Sequence, residues 1–265
     1  QMCIRDRYNY ALQPMGRERF IEIITADQPD TPAYFTYDAQ LNAREHATLE
    51  EALERELQPL SLEEVLELSD AGAQLLDTRE PAEFEAAHLR GALSVALDGS
   101  YATWCGTILE RERPVVLVAV PGREPEAATR LGRIGFDSVA GYLAGAMQAL
   151  ESAPHLIDRT PRITAGVLAE QLQSPHPPLV IDVRTEREWQ EDRIDGAINV
   201  PLSRLLDQLA DLPTDRPLVV YCASGYRSAI ATSVMLRERL TEVFDLVGGL
   251  PAWQSAPPEP LPAAR

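Results

Sequence analysis

"LLDTREPAEFEAAHLRGALSVAL", Leu75 to Leu97, and "VIDVRTEREWQEDRIDGAINVPL", Val180 to Leu202, align without a gap at a constant offset of 105 residues. Each reads as a short apolar strand ending in Asp-x-Arg, a charged helical turn and a Gly-Ala corner. Working outward, "PVVLVA" (Pro114 to Ala119) parallels "PLVVYC" (Pro217 to Cys222) at an offset of 103. A helix-period segment follows in both places, then "VAGYLAG" or "VFDLVGG". Self-similarity of this kind means one supersecondary unit of about 100 residues repeated in tandem.

Each copy opens with a helix: "SLEEVLEL" at Ser61, where Ser61 and Glu64 have capping-box spacing, and "TAGVLAEQL" at Thr164. In the second copy, strands are expected near Leu179–Asp182, Ala197–Val200, Leu218–Tyr221 and Val243–Leu246. The central runs are continuously apolar, the pattern of parallel strands buried on both faces. Strand–helix alternation then implies right-handed crossovers and an α/β fold: two consecutive domains, each a central, mainly parallel sheet flanked by helices. Their expected bounds are residues 60–152 and 160–256, with the break in "ESAPHLIDRTPR" (Glu151 to Arg162), where proline and polar residues interrupt both periodicities. Residues 257–265 are proline-rich and read as a flexible tail. Residues 1–7, "QMCIRDR", match the translation of a transposon end used in sequencing libraries and read as a non-native leader. Cys3 is therefore left out of the chemistry, and the natural gene is expected to begin further upstream.

At 45% hydrophobic and 25% charged, the 265 residues suit a globular chain. A net charge of -17 without a basic stripe argues against nucleic acid and anionic membrane as partners. No apolar run approaches the roughly 20 residues of a membrane span, and the start lacks a signal-peptide core. Three cysteines make no disulfide framework, which points to a reducing compartment, taken as the cytoplasm. His46, His88, His155 and His176 are scattered and follow no metal-binding spacing, so no metal site is expected in this chain.

Chemistry is expected at "LVVYCASGYRSAIATSVML", Leu218 to Leu236, where a strand delivers Cys222 to the tip of a sheet just before a helix. Ligands of α/β sheets collect at the carboxyl ends of strands. Gly225 permits positive φ, so the amides of Ala223 to Arg227 can turn inward as an anion-binding nest. The helix beginning near Ser228 adds its dipole and Arg227 a fixed cation. All three favour thiolate over thiol. A buried structural cysteine is the plainer alternative, but a core position has no use for a cation five residues on.

These motifs, with "LVGGLPAWQ" after them, resemble the rhodanese family of sulfurtransferases over about Ser61 to Trp253. The resemblance implies that Cys222 takes the outer sulfur of thiosulfate or a low-molecular-weight persulfide, holds it as a persulfide and passes it to a thiol or cyanide. The amides of Ala223, Ser224, Gly225, Tyr226 and Arg227, with Ser228, would hold donor and persulfide, Arg227 helping with the anion. Asp182 and Arg184 are expected to brace the loop. Arg193 departs from the family's usual histidine and is expected to alter surface packing only. Four residues separate Cys222 from Arg227, the sulfur-transfer spacing; related phosphatases and arsenate reductases have five.

In the first copy Ala119 takes the cysteine position, "VPGREP" replaces the cradle, and Glu124 stands where Arg227 stands, so that copy reads as catalytically silent. Cys105 lies outside the cradle, and His88 is at the family's structural histidine position. Residues 8–59 form an expected α+β piece whose sequence resembles the end of a metallo-β-lactamase-fold domain in fusions similar to persulfide dioxygenases. No metal motif accompanies it, so iron or zinc would belong to an upstream domain and no cofactor is expected here. Two other functions stay open: a sulfur carrier active only with its metal-containing half, and a binding tandem in which the silent copy docks a partner.

Overall fold

The computed structural model describes residues 14–25, 57–240 and 242–255. The proposed leader (1–7), most of the 8–59 segment and the tail (257–265) lie outside the described residues. Within the chain's first compact unit, α1 (Arg17–Thr25) is the described element. Both repeats belong to the second unit.

The first repeat runs β1 (Pro59–Leu60), α2 (Leu62–Asp70), β2 (Gln74–Asp77), α3 (Pro81–Ala86), β3 (His88–Leu89), β4 (Leu93–Ser94), α4 (Tyr101–Ile108), β5 (Val115–Val118), α5 (Glu124–Gly132) and β6 (Val139–Leu143). After β7 (Ile157–Asp158), the second runs β8 (Arg162–Ile163), α6 (Ala165–Leu172), β9 (Leu179–Asp182), α7 (Glu186–Glu191), β10 (Ile198–Asn199), α8 (Leu205–Gln208), β11 (Leu218–Tyr221), α9 (Tyr226–Arg237), β12 (Val243–Leu246) and α10 (Gly249–Ser255). The sheets are ordered β1-β6-β5-β2-β4 and β8-β12-β11-β9-β10, the same arrangement twice, and every pairing within them is parallel.

Central strands β2, β5, β9 and β11 are buried at every residue, as their unbroken apolar runs require. Helix starts follow their caps. Ser61 and Glu64 form the expected capping box, and Thr185 with Glu188 forms another at α7. Two differences from the sequence expectation concern short elements. The strand placed at Ala197–Val200 contracts to Ile198–Asn199, and the edge strands β1 and β8 are only two residues long. Such pairing depends on a neighbouring strand and leaves no periodic trace. The connecting segment is not a free linker either: β7 pairs antiparallel with β3 of the first repeat.

The two repeats share one apolar core, in which Leu76, Leu93 and Leu117 pack in the same cluster as Ile181, Val220 and Val234. Helix α9 lies against β4 and α3 of the other repeat. There the Ser94 N–H donates to Ser233 Oγ at 3.0 Å, giving an edge-strand amide a partner. No helix among the described residues is long and apolar enough to cross a membrane.

Candidate active site

Cys222 immediately follows β11, and the turn from Ala223 to Gly225 leads into α9. Gly225 has φ +94°, a conformation that glycine adopts without strain. That twist aims the Gly225 N–H at the thiol, which it reaches at 3.1 Å from Sγ. Ser228 Oγ lies 3.5 Å from Sγ on the other side and donates to the Gly225 carbonyl at 3.2 Å. Cys222 is 1% exposed and belongs to the shared core, whereas Ala223 and Ser224 are exposed. The sulfur therefore lies beneath the loop, walled by apolar side chains but carrying two polar contacts of its own.

The other expected site residues divide by what they touch. Ser228 is fully buried and supports the sulfur from the helix side. Tyr226 reaches into the first repeat: its hydroxyl donates to the Ala96 carbonyl at 3.1 Å, and a Cβ at Gly99 would lie 3.0 Å from its ring. Arg227 is bound at both terminal nitrogens by Glu188, at 2.7 and 2.8 Å. Its charge is thus shared with a carboxylate rather than standing free beside the thiol, as the sequence had suggested.

Asp182 and Arg184 meet the strand that delivers the cysteine: Asp182 is the register partner of Tyr221, and the Arg184 guanidinium lies 5.7 Å from the Tyr221 ring centroid. Arg184 Nε lies 3.0 Å from both Asp182 carboxylate oxygens, and its Nη2 donates to the Asp192 carbonyl at 2.5 Å, closing α7 onto the sheet. Asp77 and Arg79 repeat this geometry in the first copy, with Ala87 in place of Asp192. The brace acts through α7, which carries Glu188, which in turn holds Arg227.

Glu188 was not singled out from the sequence, although it follows Thr185 at capping-box spacing and recurs as Glu83 in the first copy. The Arg227 guanidinium, with help from the Thr185 amide and hydroxyl and against partial burial, holds its carboxyl down at about 2. The folded protein therefore gains stability from this carboxylate above its ordinary 4.5 and loses it as pH falls from there toward 2. Glu188→Gln is expected to flatten the acid limb of a plot of thermal midpoint against pH; an unchanged limb would assign it to other groups.

Gly249 also escaped notice, though the Gly248-Gly249 pair is a signal of unusual backbone. It has φ +58°, and a Cβ there would stand 2.2 Å from the Cys222 carbonyl oxygen. The next amide, Leu250 N–H, donates to that same oxygen at 2.9 Å. The "LVGG" corner clamps the cysteine's own backbone.

The first copy has a matching loop with a different occupant. Gly122, the counterpart of Gly225, has φ +90°, and its N–H donates to Glu124 Oε2 at 2.7 Å. A carboxylate of the protein itself takes the amide that points at sulfur in the second copy. Cys105 is fully buried in α4, where burial pushes its thiol well up. His88 donates from Nδ1 to the Phe84 carbonyl at 2.8 Å and stacks on the Phe84 ring, a packing role. Arg193 is exposed and lies over the Trp189 ring, 4.4 Å from its centroid. Among the described residues, no three or more His, Cys, Asp or Glu side chains are grouped to hold a metal ion.

A tandem of parallel α/β sheets, one with a cysteine loop at a strand end, is the architecture of the family with which the sequence agrees. The description "Rhodanese-like domain" matches residues 61–153 and 164–256, and the chain belongs to that family. A protein of Bacillus subtilis with no assigned activity, YqhL, is 36% identical over 74 residues, 28% of this chain and 59% of that protein. The chain thus spans less than two thirds of that relative. A sulfurtransferase of Allochromatium vinosum is 31% identical over 91 residues, 34% of this chain and 85% of the relative. The thiosulfate sulfurtransferase GlpE of Shewanella oneidensis is 32% identical over 77 residues, 29% of this chain and 76% of the relative. Among solved structures, a rhodanese-related protein of Thermoplasma volcanium aligns with 31% identity and a TM-score of 0.34, covering 37% of this chain and 94% of that one.

Proposed function

We propose that the second repeat is a sulfurtransferase domain in which Cys222 carries sulfane sulfur as a persulfide. The donor is thiosulfate or a low-molecular-weight persulfide, and the acceptor is a thiol or cyanide. The observation that carries this reading is the Gly225 N–H directed at Cys222 Sγ from a strand-end loop. Sulfurtransferases are also among the chain's relatives.

With thiosulfate, the Cys222 thiolate attacks the outer sulfur. A new S–S bond forms, the original one breaks, and sulfite leaves with its electron pair. Cyanide then attacks the outer sulfur of the persulfide, thiocyanate departs, and the Cys222 thiolate is restored. N–H groups held in place by the fold stabilise the sulfur anion without reorganising. The amides of Ala223 to Arg227 are assigned to the persulfide. Exposed Ala223 and Ser224 line the donor's approach, and Tyr226 sets the wall against the first repeat. Arg227, tempered by Glu188, contributes a weaker attraction to the anionic donor than a free guanidinium, while Ser228 supports the thiol from below. Asp182 and Arg184 keep α7, and so Arg227, in register.

Intact mass after exposure to thiosulfate tests the reading. Wild type is expected to gain one sulfur atom, mapped to Cys222 and removed by cyanide, and Cys222→Ser to gain none. Absence of a Cys222 persulfide in the wild type, or undiminished cellular function of Cys222→Ala, would sink it in favour of a binding role.

A further inference from the structure

Ser228 links the thiol to a pair of carboxyls buried where the repeats meet, with the exposed Arg162 at their edge. Asp245 of β12 is 2% exposed and Glu85 of α3 is 3% exposed, and the two carboxyls act on each other at close range, with Asp245 Oδ1 buried and without a hydrogen-bond partner among the described residues. Arg162 of β8, the register partner of Asp245, completes the cluster with Nε 3.0 Å from Glu85 Oε2. From α9 the Ser228 hydroxyl faces the Asp245 carboxyl, while on its other side it lies 3.5 Å from Cys222 Sγ. The charged groups facing Asp245 are thus Glu85 and Arg162, each from a different element.

Two carboxylate anions at this depth would repel, so one of the pair keeps a proton. Arg162 pairs with Glu85, which makes Glu85 the charged member and leaves the proton on Asp245. Burial, and then the Glu85 charge, push Asp245 up to about 8; burial raises Glu85 too, against the pull of Arg162. The repeated pattern does not require this pair: Gln190 occupies the Glu85 position in the second copy.

We propose that Asp245 is a positioning residue for the Cys222 loop, kept protonated by Glu85 of the first repeat, so that the interface between repeats sets the pH range in which the sulfur seat is intact. This deepens the sulfur-transfer reading and rests on it for what the seat carries. When the pair loses its proton, a second anion appears behind Ser228. The hydroxyl is drawn toward that anion and away from Sγ and the Gly225 carbonyl, and the seat loosens. Asp245 holds its proton more tightly folded than at its ordinary 3.8, so its stabilisation is full below that pH and is lost as pH rises toward 8.

The test follows aspartate carboxyl carbons and glycine amides by NMR across pH in the whole chain, in wild type, Asp245→Asn and Glu85→Gln. One aspartate is expected to titrate near 8. Its signal should vanish in Asp245→Asn and move toward acid by about one pH unit or more in Glu85→Gln. The Gly225 amide is expected to inflect at the same pH in the wild type and to stay flat in Asp245→Asn. A Gly225 inflection unchanged in Asp245→Asn, or no aspartate titrating above neutrality, overturns the proposal. Neither signal requires sulfur transfer. A wild type that titrates as expected but forms no persulfide would therefore count against the sulfur-transfer reading alone.

Discussion

Gly249→Ala is expected to displace the Cys222 loop, because the new methyl would stand 2.2 Å from the Cys222 carbonyl oxygen. The obstacle is backbone on both sides, so no side-chain rotation relieves it. Adding atoms to a filled site costs about 1–3 kcal/mol, and a non-glycine residue in the left-handed region about 1–2 kcal/mol more. A loss of roughly 2–5 kcal/mol should appear in urea unfolding, and persulfide yield should fall further than stability alone explains. Gly225→Ala is the control. It has φ +94° but nothing within 4 Å of a new Cβ, so it should lose only the conformational part. If the two variants lose equal stability and yield, the clamp on Cys222 is not what Gly249 provides.

Asp182→Ala is expected to cost about 3–5 kcal/mol, since it strands a buried guanidinium. The Arg184 side chain is 7% exposed, and its partner's is fully buried. Arg184→Met added to Asp182→Ala should recover much of the loss, because replacing both members of a buried pair with apolar groups is far milder than removing one. Asp77→Ala in the first repeat should behave alike, Arg79 being 10% exposed. Thermal midpoints of the three variants decide the matter. A double variant as unstable as Asp182→Ala would mean that shape, not charge, is what the brace supplies.

The local sequence spoke clearly wherever its message was periodic or chemical. Apolar runs at Leu75, Val115, Val180 and Leu218 marked the central strands because burial on both faces leaves no polar position to confuse them. Ser61 with Glu64 marked a helix start because the cap closes within three residues. Cys222 and Gly225 stood out because a thiol at a strand end needs a turn that only glycine makes cheaply. Edge strands β1 and β8 left no such mark, since two residues become a strand only beside a formed neighbour.

The sequence by itself determined the tandem α/β architecture, the position of the thiol and its replacement by Ala119 in the first copy. Each is written in residues close together along the chain or repeated at a constant offset. Tertiary structure alone decided that Glu188 takes up Arg227, that Gly249 clamps Cys222 and that Glu85 meets Asp245. These partners are 39, 27 and 160 residues apart. Distance along the chain carries no signal for pairs that meet only when sheets and helices pack, because burial and charge pairing act on where groups end up in space.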